Sequence, residues 1–321
     1  VPECDLVSYD GLSWTNAGNG LESLPSGVTW GHGVFVEVDY YGNIYTSPDG
    51  TNWTQRAGTG YDLYAVAYGG GMYVATTDNG IVITSPDSIH WSPRHTPLTG
   101  SINAITYGNG QFVAVADDGS AATSANGTMW TPQTTPSPRA LLGVTWGDKQ
   151  YVAVGSYGAI VTSPDGVNWT LQTNAPYNVN ALHSVVWGNN EFMAVGQGGW
   201  ALRSPDGVKW ISTTTATYHD LYSVIYANGS FLAVGDENTI IRTPGAAPFQ
   251  PGSLKIMPNG TVVGTMSGTA GNTYNIQVSS DLLNWTTLST VSLSSTNGQF
   301  IDSSALLRPT TQKYYRVALQ P

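Results

Sequence analysis

The chain is short of several things. It has a single cysteine, Cys4, among 321 residues, so neither an internal disulfide nor a cysteine-based metal site can form. Charged residues make up only 10%, against roughly 25% in ordinary soluble domains, which excludes a coiled coil and a charged disordered tail. Lys and Arg together number 11 against 21 Asp and Glu, and the formal net charge is −10. A nucleic-acid binder carries a basic footprint that releases counterions. None is present, so neither nucleic acid nor an anionic membrane surface is expected as a partner. No apolar run approaches ~18 residues, so no membrane span is expected. No signal peptide is visible, and a chain beginning at Val1 is expected to be a processed or trimmed product. Missing disulfides ordinarily point to a reducing compartment. That hint is set aside, because large exported β-proteins also do without bridges.

What is abundant is Gly (38), Pro (18), Tyr (18) and Trp (11), a composition of turns and aromatic-rich strands. The decisive feature is an internal repeat. LYAVAYGGGMYVATTDNGIVITSPDSIHW (63–91) returns at 102–130, at 141–169 and at 182–210. A Ser-initiated motif begins at Ser8, Ser47, Ser85, Ser124, Ser163 and Ser204, with gaps of 39, 38, 39, 39 and 41. Each unit reads as four short strands with Gly, Asn and Asp between them. Four strands in about 40 residues is the signature of a β-propeller blade.

The motif reads SPDGTNW, SPDGVNW and SPDGVKW in its fullest copies, SYDGLSW at the N-terminus, and SPDSIHW and SANGTMW in degenerate form. It resembles the Asp-box of sialidases and related propellers, with the glycine one place early. The resemblance covers residues 6–245 and implies a propeller fold without implying an activity. Locally, the Asp carboxylate is expected to accept backbone N–H groups, the Gly to take positive φ and the Trp to pack between strands.

Innermost strands begin near Ser26, Leu63, Ile102, Leu141, Leu182 and Leu221, giving six blades. The last unit stops after its third strand, and SYDGLSWTNA (8–17) is expected to complete it and close the ring. A seven-bladed ring is the alternative if the tail contributes strands. The expected organisation is an all-β chain: a six-bladed β-propeller over 1–245, a linker over 246–253 and a small β-sandwich module over 254–321. The tail resembles modules that end many secreted bacterial proteins, and its SSDLLNW turn is read as structural.

Function should appear where one copy departs from the rest. Asp10, Asp49, Asp87, Asp165 and Asp206 belong to the repeated turn and are read as its stabilisers. One second-strand column runs Glu37, Ala75, Ala114, Ala153, Ala194, Ala233, and another runs Asp39, Thr77, Ala116, Gly155, Gly196, Gly235. A glutamate in an alanine niche is costly unless paired or open to a cavity. Asp62 and Asp220 sit in matching contexts, YDLY and HDLY, at the start of blades two and six. With Asp236 they are the candidate catalytic carboxylates beside Glu37 and Asp39. Tyr40, Tyr41, Tyr61, Tyr64, Asp78, Asp117, Tyr157, His183, Trp200, His219, Tyr222 and Glu237 are the candidate substrate-binding residues, with Tyr177 continuing the aromatic series.

Sugars stack on aromatic faces, and glycoside hydrolysis uses two carboxyl groups of unlike pKa. The leading expectation is therefore an exported or cell-surface glycoside hydrolase with a glycan substrate, needing no cofactor and monomeric. Glu37 is its expected acid. A non-enzymatic carbohydrate-binding or protein-docking propeller is the alternative. The same carboxylates also suit Ca²⁺, as in lactonase-type propellers. Sialidase activity is not expected: Arg56, Arg203 and Arg242 fall within strands, and only Arg94 and Arg139 fall in blade-to-blade loops. No G-x-S-x-G elbow, H-E-x-x-H or phosphate-binding loop is present.

Overall fold

The structure is a computed structural model that describes residues 6–8, 14–16, 25–174, 176, 179–213, 215, 217–227, 229–243, 249–257, 261–267, 271, 273–279, 286–294, 297–302 and 314–319. It divides into two compact units, 1–225 with 233–241, and 226–232 with 242–321.

The repeat forms a six-bladed β-propeller, with five blades and part of the sixth in the first unit. Blade one is a four-stranded antiparallel sheet of Pro25–Gly31, Val34–Asp39, Asn43–Ser47 and Thr54–Gly58. Blades two to five repeat it, with first strands Leu63–Gly69, Ile102–Gly108, Leu141–Gly147 and Leu182–Gly188. The sixth sheet has three strands, Leu221–Ala227, Ser230–Gly235 and Thr239–Arg242. The hairpin between first and second strands needs two residues at positive φ. Gly70–Gly71, Asn109–Gly110 and Asn189–Asn190 supply them, and so does Asp148–Lys149. Turns of this hand match strand twist.

Blades are held by side chains alternating across each sheet. Val36, Val38 and Ile44 of blade one meet Leu63, Val66, Tyr73, Ala75 and Ile83 of blade two. The same positions form the core between blades two and three, three and four, and four and five. Each fully buried aliphatic side chain stabilises the sheet stack by about 1.5–3 kcal/mol. Close approach is also built in. A Cβ on Gly69 would fall inside the Tyr107 ring, and one on Gly108 inside the Trp146 ring.

The Ser-initiated turns are as the sequence predicts. In blade four, Gly166 N–H donates to Ser163 Oγ (2.8 Å), and the N–H groups of Val167 and Asn168 donate to Asp165 Oδ1 (2.9 and 2.8 Å). Trp169 Nε1 donates to the Gly166 carbonyl (2.9 Å). Asp49, Asp87 and Asp206 do the same work, while Asp10 lies outside the described residues. These bonds hold the carboxyls of Asp49, Asp87, Asp165 and Asp206 below the ordinary aspartate value.

At the N-terminus, Leu6–Val7 and Thr15–Asn16 pair with each other as a separate two-stranded sheet. Among the described residues this ribbon pairs with no strand of the sixth sheet.

The second unit contains two three-stranded sheets. One orders Phe249–Ile256, Val262–Ser267 and Asn297–Asp302, and the other orders Thr286–Ser292, Thr273–Ser279 and Tyr314–Leu319. Met266, Tyr274, Ile276, Leu293 and Phe300 form their common core. The expected linker 246–253 is corrected here. Phe249 already pairs with Met266, because QPGS sits at a register irregularity within a strand. The SSDLLNW turn lies outside the described residues apart from its first serine.

Candidate binding face

One end of the propeller is assembled from the loops after each second strand and the loops between blades. Backbone and threonine groups tie the two together. Thr59 N–H donates to the Gly42 carbonyl (2.9 Å) and Thr96 N–H to the Gly80 carbonyl (2.9 Å). Thr135 and Thr215 hydroxyls donate to Gly119 and Gly199. The scaffold of this end is therefore repeated, and its side chains are not.

A β-bulge sets what projects there. The first strands slip register between Pro25 and Gly27, Leu63 and Val66, Ile102 and Ala104, Leu141 and Gly143, and Leu182 and Ser184. A bulge re-aims the extra residue's side chain. Blades one, three and five use it to bond the next blade. Ser26 Oγ donates to the Leu63 carbonyl (2.6 Å), and Asn103 Nδ2 donates to the Leu141 carbonyl (2.9 Å). His183 Nδ1 lies 3.1 Å from the Leu221 carbonyl oxygen. Because a carbonyl only accepts, Nδ1 carries the proton. Blades two and six place Tyr64 and Tyr222 there instead.

Two tyrosine–carboxylate groups result. In the first, Tyr40 stands edge-on to Tyr41 (6.1 Å, 75°) and to Tyr64 (6.0 Å, 75°). The Asp62 carboxylate beside Tyr40 raises its phenol above 10.0, helped by Tyr64, by burial and by Asp78. Tyr40 and Tyr41 are exposed. Asp78 Oδ1 is buried and accepts no hydrogen bond among the described residues. In the second, Tyr222 stacks on His183 (5.2 Å, 19°) and donates to Asp236 Oδ2 (3.1 Å). Burial raises the Tyr222 phenol first, then the Asp236 bond, then the charges of Asp236 and Asp220. Asp220 Oδ1 accepts from Gly198 N–H (2.7 Å), which ties blade six to the blade-five loop.

The other candidates are dispersed. Asp39 has no exposed surface, and both its oxygens are held by Asn43, from the backbone N–H (2.8 Å) and from Nδ2 (2.9 Å). Glu37 is buried within the second strand of blade one. It alternates with Val36 and Val38, which face blade two, so its side chain leaves the opposite flat of the sheet and does not reach the loop end. Tyr61 and Trp200 pack against inter-blade cores. Tyr157 is exposed and carries the Arg139 guanidinium 4.5 Å over its ring. Asp117, His219 and Glu237 are exposed. Glu237 takes φ 53°, the position filled by Gly198 in blade five. Tyr177 lies outside the described residues. Arg94, expected in a loop, lies in the fourth strand Ser92–His95. No group of three His, Cys, Asp or Glu that could hold a metal ion occurs among the described residues.

Sequence reasoning missed Ser26, Asn103 and Arg139. The first two were visible as a variable column before the small residues Gly27, Ala65, Ala104, Gly143, Ser184 and Ser223.

No family model and no curated protein matches this chain. Solved structures do. A complex described as YCF48 bound to D1 peptide is similar with a TM-score of 0.59 at 18% identity, over 72% of this chain and 82% of that one. YCF48 from Cyanidioschyzon merolae gives 0.54 at 15%, over 76% and 93%. The WD40 β-propeller domain of Doa1 gives 0.54 at 11%, over 76% and 89%. At these identities the likeness establishes the β-propeller fold.

Proposed function

We propose that this chain is a protein-docking propeller whose loop end takes a cationic segment of a partner polypeptide. The observation that carries the reading is the group around Tyr40. Tyr41 and Tyr64 stand edge-on to Tyr40, and the three rings border two carboxylates, one of which keeps a buried oxygen without a donor among the described residues. A guanidinium or ammonium group satisfies both features at once. It donates charge-assisted bonds to the carboxylates and lies against ring faces. A net charge of −10 draws such a partner in. A propeller of the same fold is described with a bound peptide, which agrees with this use.

Against the glycosidase reading stand Asp39, with no exposed oxygen, and Glu37, on the flat of a sheet. Neither offers a carboxyl to a sugar at the loop end. In the proposed reading the two sheets of the tail form a β-sandwich spacer.

The test is a titration of fluorescent Arg/Lys-rich and Asp/Glu-rich peptides against the chain. Basic peptides should bind with affinity that falls as salt rises, and Asp78→Asn or Asp62→Asn should weaken them about tenfold. Equal binding of acidic peptides would overturn the reading. Release of reducing sugar from a glycan, lost in Asp62→Asn, would restore the hydrolase.

A further inference from the structure

The loop end of the propeller carries almost no positive charge. Arg56, Arg94, Arg203 and Arg242 lie within strands. Lys149 and Lys209 lie in turns at the opposite end. Among the described residues Arg139 is the only Lys or Arg in a loop of this end. It is not spent on the acids beside it. A Cβ on Gly119 would meet the Arg139 carbonyl oxygen, so the blade-three loop of Asp117 and Asp118 runs against Arg139. Asp118 nevertheless accepts from Ser120, and Arg139 forms no ion pair among the described residues. Its guanidinium lies over the Tyr157 ring instead, 4.5 Å from the centroid.

A repeated bond places this pair. Ser156 N–H donates to the Ala140 carbonyl (3.0 Å). Arg139 stands just before that acceptor and Tyr157 just after that donor. The same bond runs from Asp117 to Ser101 in blade three, from Gln197 to Ala181 in blade five and from Asp236 to Asp220 in blade six. The flanking pairs there are Gly100 with Asp118, Asn180 with Gly198, and His219 with Glu237. Of these blades, the fourth alone sets an arginine beside an aromatic ring. Tyr157 also takes φ 57°, where blade five has Gly198 at φ 68°. A left-handed backbone is costly for a bulky residue, and such strain persists where the side chain has a use. The ring is 75% exposed, so core packing does not require it.

We infer that Arg139 and Tyr157 take a carboxylate side chain, Asp or Glu, of the same partner polypeptide that places a cation at the Tyr40 group. This rests on the docking reading and specifies its partner. The docked segment carries both signs of charge, basic toward blades one and two and acidic toward blade four. A guanidinium backed by a ring keeps N–H groups for a carboxylate, and an arginine–carboxylate pair can be bidentate. The ring holds the guanidinium in place before the partner arrives, which lowers the ordering cost of binding. The acids around it act as a filter. With a net charge of −10, a carboxylate set down elsewhere on this end is repelled. The place of the acid along the segment therefore fixes the direction in which the segment crosses the face.

The test uses the full chain and paired fluorescent peptides, read by anisotropy. Each peptide has an Arg-Lys anchor, a Gly/Ser spacer of graded length and then either Glu or Gln, with both termini blocked and the order of anchor and acid also reversed. For at least one spacer and order, the Glu peptide should bind ~5–10-fold tighter than its Gln twin. Arg139→Gln should bring that ratio to one, and Arg139→Glu should make a Lys twin the tightest of the three. Tyr157→Gly should lower the ratio while leaving the thermal midpoint near the parent's, because glycine relieves the left-handed backbone and costs chain entropy. A merely structural role for the pair would move the midpoint and not the ratio. Asp62→Asn should weaken both twins together and keep the ratio. If no peptide with the basic anchor binds, the docking reading falls and this inference falls with it. Equal binding of Glu and Gln twins at every spacer and order, or a preference that Arg139→Gln retains, would overturn this inference alone.

Discussion

The two ends of each blade use the same residue types for opposite purposes. At the turn end, Asp49, Asp87, Asp165 and Asp206 accept bonds from their own backbone. Each turn's tryptophan donates to the carbonyl three residues back. At the loop end, Asp62, Asp78 and Asp236 stand beside tyrosines from neighbouring strands and loops. A repeated carboxylate is bound within its own turn, whereas the unrepeated ones differ from one another: Asn43 holds Asp39, Gly198 and Tyr222 donate to Asp220 and Asp236, and Asp78 keeps a buried oxygen without a donor among the described residues. The difference teaches that repetition itself separates scaffold from site.

The largest test of that contrast is aromatic truncation at each end. Trp210 is 4% exposed, belongs to the core between blades four and five and donates to Gly207. Trp210→Ala should cost about 3–5 kcal/mol in urea unfolding. Tyr41→Ala at the exposed loop end should stay within about 0.5 kcal/mol while weakening basic-peptide binding. A stability loss of equal size in the two variants would break the comparison.

The next effect is smaller and uses a natural control. Blade three has Asn126 where the other turns have Asp, and its Oδ1 still accepts from Thr128 N–H (2.9 Å) and Met129 N–H (3.0 Å). An amide oxygen therefore closes the turn. Asp165→Asn should cost less at pH 7 than Asp165→Ala, because it keeps the acceptor and loses only the charge, and Asp165→Ala should cost about 1 kcal/mol by leaving two N–H groups without their acceptor. Thermal melts of the two variants separate turn geometry from charge.

Acid sharpens the same point. Hydrogen bonds from Asn52 and His90 lead the causes that lower the Asp49 and Asp87 carboxyls below the ordinary 3.8. A depressed folded value contributes stability that is fully present above 3.8 and is lost as pH falls through the folded value. The propeller should therefore lose stability progressively below about pH 4, and the Asp165→Asn chain should lose less than the parent over that range. Equal acid sensitivity in both would remove these turns as the cause.

Much of this was legible before any coordinates. The spacing of the Ser-initiated motifs yields the blades, and the turn chemistry follows from residue type, because both depend on local bonding. The exposure of Val28 was not legible. Val28 and Val66 are the same residue in the same pattern, and only the neighbouring sheet makes one bare and the other buried. The glutamate in the alanine column was visible as an anomaly, but strand alternation sends Glu37 to the flat of the sheet while Asp39, two residues on, reaches the loop. There Asn43 engages it. The tyrosines and carboxylates of the loop end form two groups, one on blades one and two and one on blades five and six.

The smallest effect is also the most specific to the loop end. Tyr40 is exposed, and neighbouring charge outranks burial among the causes that move its phenol. The Asp62 charge is the first cause of its upward displacement from 10.0, and an accepted hydrogen bond adds to it. A neutral side chain at 62 removes both, so Asp62→Asn should lower the pH at which Tyr40 ionises. The change can be read as the difference in ultraviolet phenolate absorbance between this variant and the same variant carrying Tyr40→Phe. Asp236→Asn should leave the Tyr40 titration where it is, since Asp236 acts on Tyr222. A cationic peptide bound between Asp62 and Tyr40 should move Tyr40 in the same direction as Asp62→Asn, because the partner's charge offsets the carboxylate's. One titration would thus connect occupancy of the site to the residue that draws the partner in.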